Sequence, residues 1–69
     1  MSLYDEEIRK FERKLLMDTL LRFRCRQQKA AEFLGMHRNS LTRKMKSCGF
    51  TLAEVRAEYK RIARQVRAA

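Results

Sequence analysis

Residues 37–46 carry a dense series of side chains that bond phosphates and base edges. The segment, HRNSLTRKMK, places cations, an amide and hydroxyls around two apolar residues, Leu41 and Met45. These two residues are four positions apart and predict the buried stripe of a helix, which leaves the polar side chains facing outward. Guanidinium and ammonium groups bond phosphate oxygens, and arginine, amide and hydroxyl side chains also bond base edges. The spacing therefore indicates a helix that contacts nucleic acid.

Arg38 is the strongest candidate for reading base sequence. A guanidinium at the start of a recognition helix can bond O6 and N7 of guanine, and the alternative role is a clamp on a phosphate. Arg43 fits either a base or the backbone, and Asn39 fits either adenine or exposure to solvent. The other outward residues of this helix are expected to contact phosphates, or a thymine methyl group for the hydroxyls: Ser40, Thr42, Lys44 and Lys46.

Two further sets of candidates lie at helix starts. His37 occupies the expected N-cap of the recognition helix, where Ser, Thr or Asn would cap better. It is therefore either a contact to a base or phosphate or a plain turn residue. Backbone N–H groups at the start of the preceding helix favour a phosphate, and the side chains there are Arg26, Gln27, Gln28 and Lys29.

A helix-turn-helix would position these side chains. Ala30, Ala31 and Leu34 predict a brace helix over residues 27–34, and their small size allows close helix packing. Gly35 predicts the end of that helix in a left-handed conformation. The recognition helix is expected over residues 38–47, with Gly49 as its stop. In such a motif the second helix enters the major groove.

A long N-terminal helix is expected over about residues 4–24. Acids in its first turn and arginines in its last suit the helix dipole. Its apolar surface is wider than one small helical hairpin covers, which favours a dimer seam over residues 1–24, with burial against the chain's own helices as the alternative. The seam is predicted to contain Ile8, Phe11, Leu15, Leu16, Thr19, Leu20 and Phe23.

A fourth helix is expected over residues 51–67. Thr51 and Glu54 fit a capping box at its start. Its apolar residues alternate in spacings of three and four: Leu52, Val55, Tyr59, Ile62 and Val66. We expect this helix to pack on the first helix of its own or a partner chain. The less favoured alternative is a basic contact through Arg56, Lys60, Arg61, Arg64 and Arg67.

Charge and composition limit the class of protein. The net charge is +9, and residues 22–47 hold eight basic residues against one acidic residue, a net +7. A positive charge concentrated in this way indicates a polyanionic partner, with double-stranded DNA favoured over acidic lipid or a merely solvated surface. The 69 residues include no Pro and two Gly and are rich in helix formers. We therefore expect one all-α domain over residues 1–69, made of four helices and stabilised by oligomerisation.

The sequence argues against several classes of function. Two Cys and one His cannot complete a four-ligand zinc site within one chain, and we expect no metal and no cofactor. The chain lacks a Gly-rich phosphate loop, paired carboxylates in an apolar context and room for a substrate pocket, so neither an enzyme nor a small-molecule substrate is expected. No apolar run is long enough for a membrane span or export signal, which makes the cytoplasm the expected location. The chain could still be a fragment of a longer regulator.

Residues 11–50 resemble the DNA-binding module of the Fis family. The pattern is FERKLLMDTLLRF, a connector, then KAAEFLGMHRNSLTRKM ending in Gly49 and Phe50. This module occurs in small homodimeric nucleoid and regulatory proteins and as the C-terminal domain of bacterial enhancer-binding activators. The resemblance implies an intertwined homodimer built by the long N-terminal helix, a recognition helix in the major groove, bent DNA and a place on the bacterial nucleoid.

The sequence departs from the family pattern in two places. The family usually has Gly-Asn in the connector, where this chain has Cys25 and Arg26. That Asn helps to start the brace helix and contacts phosphate. We expect Arg26 to reach a phosphate but to cap poorly, with Gln27 or Gln28 compensating. The second departure is the helix over residues 51–67, for which the family supplies no role.

These observations predict a Fis-like transcriptional regulator that binds the major groove as a homodimer, with a degenerate, partly palindromic site preference. The alternative is a helical protein-interaction module whose amphipathic helices bind a partner protein. A membrane-surface peptide is a third and weaker interpretation, since the glycines divide the helices as in a folded domain.

Overall fold

The computed structural model describes residues 2–68, and every regular element within that range is an α-helix. The four helices are α1 (Leu3–Arg22), α2 (Gln27–Leu34), α3 (Arg38–Ser47) and α4 (Leu52–Ala68). The prediction of an all-α chain with four helices is confirmed. Residues 1 and 69 of the predicted domain lie outside the described residues.

Helix α1 begins and ends by identifiable local interactions. The Ser2 hydroxyl accepts a hydrogen bond from the backbone N–H of Asp5 at 3.2 Å, which caps the helix. The helix ends at Arg22, earlier than expected, because Arg24 and Cys25 adopt positive φ angles of 56° and 64°. These left-handed residues turn the chain sharply toward α2.

The buried side of α1 differs from the predicted dimer seam. The structure places Leu16, Thr19 and Leu20 in the core of the single chain, so their assignment to a seam between two chains is corrected. The Thr19 hydroxyl satisfies its donor by bonding the Leu15 carbonyl oxygen at 2.7 Å. Phe23 is half-buried against the same core. These residues are buried because α2, α3 and α4 all pack against this side of α1.

The other part of the predicted seam stays exposed. Ile8, Phe11 and Leu15 are 46%, 69% and 44% exposed. They border an open apolar groove of about 240 Å³, whose other side includes Leu34 and Met36 from the end of α2 and the turn after it. In the single chain, α1 therefore has two apolar sides, of which one is buried and the other faces out.

The helix-turn-helix follows its predicted boundaries. Ala30 and Ala31 of α2, together with Leu41 and Met45 of α3, are buried, which confirms both predicted stripes. Gly35 ends α2 with φ +72°. Its backbone N–H bonds the Glu32 carbonyl, and the next N–H bonds the Ala31 carbonyl, as in a Schellman motif.

Gly49 ends α3 in the same way, with φ +79°. Arg13 of α1 then fixes this end of α3 to the rest of the fold. Its Nη1 donates to the carbonyl oxygens of Cys48 at 3.2 Å and Gly49 at 3.4 Å, and its guanidinium lies 5.4 Å from the ring centre of the buried Phe50. The position of α3 is therefore set at both of its ends.

Helix α4 packs on the core only through its first turns. The Thr51 hydroxyl accepts from the Glu54 N–H at 3.3 Å, which confirms the predicted N-cap. Val55 is fully buried and Leu52 is half-buried. The other predicted apolar positions are exposed, at 36%, 38% and 71% for Tyr59, Ile62 and Val66.

Candidate nucleic-acid interface

The outward face of α3 is basic and polar. An α-helix turns about 100° per residue, so Arg43, two positions from both Leu41 and Met45, lies on the side opposite the core. Asn39 and Lys46 are also exposed and lie on the flanks of that face, whereas Ser40 is half-buried. The described α3 contains no acidic residue. Its free surface therefore presents hydrogen-bond donors and positive charge.

Arg38 is held in place by a contact that joins the two helices of the motif. Its Nε donates to Oε1 of Gln27 at 3.2 Å. This bond ties the first residue of α3 to the first residue of α2. The bond uses Nε, and the two Nη groups carry the paired N–H donors that suit a guanine edge or a phosphate.

Two side chains near the start of α3 support the helix itself. Nδ1 of His37 accepts from the Asn39 N–H at 3.1 Å, so the imidazole caps the helix. The predicted N-cap position of His37 is confirmed, but this hydrogen bond was not part of the prediction. The Thr42 hydroxyl donates to the Arg38 carbonyl at 3.1 Å, which leaves its oxygen as an acceptor.

Lys44 lies away from the outward face. Its Nζ is 3.6 Å from Oε1 of Glu12 on α1, and its side chain borders the apolar groove beside Phe11 and Leu15. This position does not favour the predicted contact between Lys44 and a phosphate, because the Lys44 side chain lies against Glu12 of α1. An exposed ion pair of this kind contributes at most about 1 kcal/mol to stability.

The start of α2 confirms one expectation and corrects another. Arg26 is the N-cap, and its side chain makes no capping hydrogen bond, as predicted. Neither glutamine replaces that cap: Gln27 bonds Arg38, and Nε2 of Gln28 donates to Oε1 of Glu32 at 3.2 Å. The first backbone N–H groups of α2 therefore have no side-chain cap from these residues.

The structure brings the predicted residues at the start of α2 together with Arg38, the first residue of α3, around one open hollow of about 440 Å³. The hollow is lined by the start of α2, by the start of α3 and by α4. Its lining residues are Cys25, Arg26, Gln27, Gln28, Lys29, Arg38, Leu52 and Arg56. Four of them are cations and none is an acid. This concentration of positive charge beside uncapped N–H groups suits an anionic ligand.

Arg56 is the residue of this hollow that sequence reasoning did not single out. The five basic residues of α4 were treated as one set, because their order along the helix does not show which of them faces α2. Among these five, Arg56 is the one that lines the hollow. Its charge also acts on the Cys25 thiol, whose pKa is raised by burial and lowered in smaller measure by Arg56.

An aromatic cluster beside the interface was also not predicted from the sequence. The rings of Phe23 and Phe33 lie 5.2 Å apart, and the Arg22 guanidinium lies 4.9 Å from the ring centre of Phe33. Phe33 is exposed although it belongs to α2. The signal in the sequence is that Phe33 falls outside the stripe of Ala30, Ala31 and Leu34.

The comparisons with known proteins agree with this geometry. A family model described as "Bacterial regulatory protein, Fis family" matches residues 7–47, which include most of α1 and all of α2 and α3. The chain belongs to the Fis family, and it therefore carries a DNA-binding regulatory domain, a class that is not usually enzymatic. Neither the curated proteins nor the solved structures give a match. Helix α4 lies beyond the matched residues.

Within residues 2–68, no cluster of three or more His, Cys, Asp or Glu side chains has a geometry that could hold a metal ion. The helices in that range are each too short or too polar to cross a bilayer.

Proposed function

We propose that this protein is a transcriptional regulator that binds the major groove of double-stranded DNA as a homodimer, with α3 as the recognition helix. The observation that carries the proposal is the Arg38–Gln27 hydrogen bond. It joins the start of the recognition helix to the start of the brace helix in one basic surface. A side chain held before binding loses less conformational entropy on binding.

The roles of the other residues follow from their positions. Arg43, on the side opposite the core, is the second candidate for a base or backbone contact, and Asn39 fits adenine. Backbone phosphates suit the remaining residues, most of which are exposed: Arg26, Gln27, Gln28, Lys29, His37, Ser40, Thr42 and Lys46. About four neutralised phosphates per chain predict a log–log dependence of affinity on salt with a slope of about −7 for a dimer.

The exposed side of α1 supports the homodimer. Ile8, Phe11 and Leu15 form an exposed apolar side on α1, the helix that the resemblance to the Fis family implies as the dimerisation helix. A second copy of the chain covers this side in our proposal. The two-fold axis then presents two recognition helices to successive major grooves about one helical turn apart. Bending of the DNA and shape readout extend the proposal, as does a location with the bacterial nucleoid in the cytoplasm.

A fluorescence-anisotropy titration with labelled duplex DNA at several salt concentrations tests the proposal. The double variant Arg38→Glu with Arg43→Glu should abolish binding. It should also remain folded by circular dichroism, because both side chains are exposed and an acid at position 38 suits the positive end of the helix dipole. The matched control is Arg64→Glu with Arg67→Glu, which makes the same charge change in the last turns of α4, away from the hollow beside the start of α2.

The outcomes separate the proposal from its rival. Binding that is lost only in the variant on α3 supports the proposal, whereas equal binding by both double variants contradicts the site. A protein that ignores duplex DNA even at low salt would favour a protein-interaction module. That second candidate is supported by the exposed apolar residues of α4, Tyr59, Ile62 and Val66, which could bind a partner protein.

A further inference from the structure

We infer that α4 belongs to the DNA-binding surface and that Arg56 contacts a backbone phosphate beside the start of α2. This inference rests on the proposed function, since it assigns one more contact to the same surface. It concerns a helix that lies outside the residues matched by the Fis family model.

The position of Arg56 is fixed by its neighbours in the sequence. Thr51 caps the helix, and Val55, the residue directly before Arg56, is fully buried in the core. The backbone at Arg56 is therefore anchored, although its side chain is exposed. An anchored backbone keeps the Arg56 side chain within reach of the hollow at the start of α2, which it lines.

The chemistry of the hollow indicates a phosphate ligand. Arg56 shares it with Arg26, Lys29 and Arg38, which come from the connector and two other helices. Cations gathered from separate elements repel one another unless an anion is bound between them. An arginine fork matches the oxygens of a phosphate, and the uncapped N–H groups of α2 add further donors.

The location indicates that this phosphate belongs to DNA. Arg38 lines the same hollow and begins the recognition helix. When the start of a recognition helix enters the major groove, the phosphates at the edge of that groove lie beside it. The hollow is therefore where a DNA backbone would pass, and α4 closes it on the side that the family module leaves open.

The test compares Arg56→Gln with Arg67→Gln in the full chain. Both variants remove one positive charge from α4, but residue 67 lies about 16 Å further along the helix axis at 1.5 Å per residue. We expect Arg56→Gln to reduce the salt slope by about 0.9 per chain, or about 1.8 for a dimer. For two proteins of equal affinity at 1 M salt, a slope that differs by about 1.8 corresponds to an affinity about 60-fold lower for the variant at 0.1 M salt. Arg67→Gln should leave the slope unchanged.

A conservative variant guards against an effect on folding. Arg56→Lys keeps the charge and should retain most of the slope, with unchanged circular dichroism for all three variants. The inference is overturned if Arg56→Gln binds with the wild-type slope, or if Arg67→Gln lowers the slope equally, which would indicate a general field effect. A wild-type chain that does not bind the duplex instead overturns the proposed function, and this inference with it.

Discussion

In the connector between α1 and α2, we expect glycine to give a more stable protein than alanine, whereas glycine within a helix usually lowers stability. Cys25 adopts φ +64°, a conformation that costs a residue with a Cβ about 1–2 kcal/mol. Its N–H bonds the Leu20 carbonyl at 2.7 Å, so the turn is held by the end of α1. The pattern of the Fis family usually has Gly at this position of the connector. We therefore expect Cys25→Gly to be more stable than Cys25→Ala.

The magnitude follows from two opposing terms. Removing the Cβ relieves about 1–2 kcal/mol, and the greater freedom of Gly in the unfolded chain costs roughly 0.4–1 kcal/mol. The expected difference in the free energy of unfolding is therefore about 0.5–1 kcal/mol in favour of Gly. Both variants lack the half-buried thiol, so its loss cancels in the comparison.

Urea denaturation monitored by circular dichroism at one fixed protein concentration measures this difference. Ala57→Gly is the control, because Ala57 is exposed in the interior of α4, where Gly is expected to lower stability by about 1 kcal/mol. The two sites should respond to Gly with opposite signs. If glycine lowers the free energy of unfolding relative to alanine at position 25 by as much as it does at position 57, then Cys25 does not adopt a left-handed conformation.

Substitutions at Phe11 and His37 test the dimer and the helix cap, respectively. Phe11→Ser should raise the dissociation constant of the dimer by about 10²–10⁴-fold in sedimentation equilibrium, since two buried Phe side chains contribute roughly 3–6 kcal/mol. Phe33→Ser, which removes an exposed Phe elsewhere, should leave the dimer intact; equal effects of the two would refute the α1 interface. His37→Ser should retain the stability of the wild type because Ser also caps helices, whereas His37→Ala should lose about 1 kcal/mol in urea denaturation. Equal stability of those two variants would show that His37 is not a cap.

The helix-turn-helix could be predicted from the sequence because its determinants are local. The spacing of Leu41 and Met45 defines the buried side of α3, and Gly35 and Gly49 end their helices through left-handed conformations that side chains disfavour. The Thr51 cap is also a local signal. Each of these features depends on residues within a few positions of one another.

The parts that could not be predicted depend on contacts between distant segments. Helix α1 has apolar residues on several sides, and only the arrangement of the other helices decides that Leu16 and Leu20 are buried while Phe11 is not. Lys44 lies against Glu12, which is far away in the sequence. Arg56 lies beside the start of α2 because the buried Val55 anchors α4 on the core. The spacing of residues along α4 does not predict this position.

The claim that the chain binds duplex DNA as a homodimer can be tested by sedimentation. The chain is sedimented alone and with a short duplex that carries one two-fold site. We expect the free chain to sediment as a dimer and the complex to contain two chains per duplex, with affinity falling steeply as salt is raised. A chain that sediments as a monomer and leaves the duplex unbound at low salt would contradict this claim.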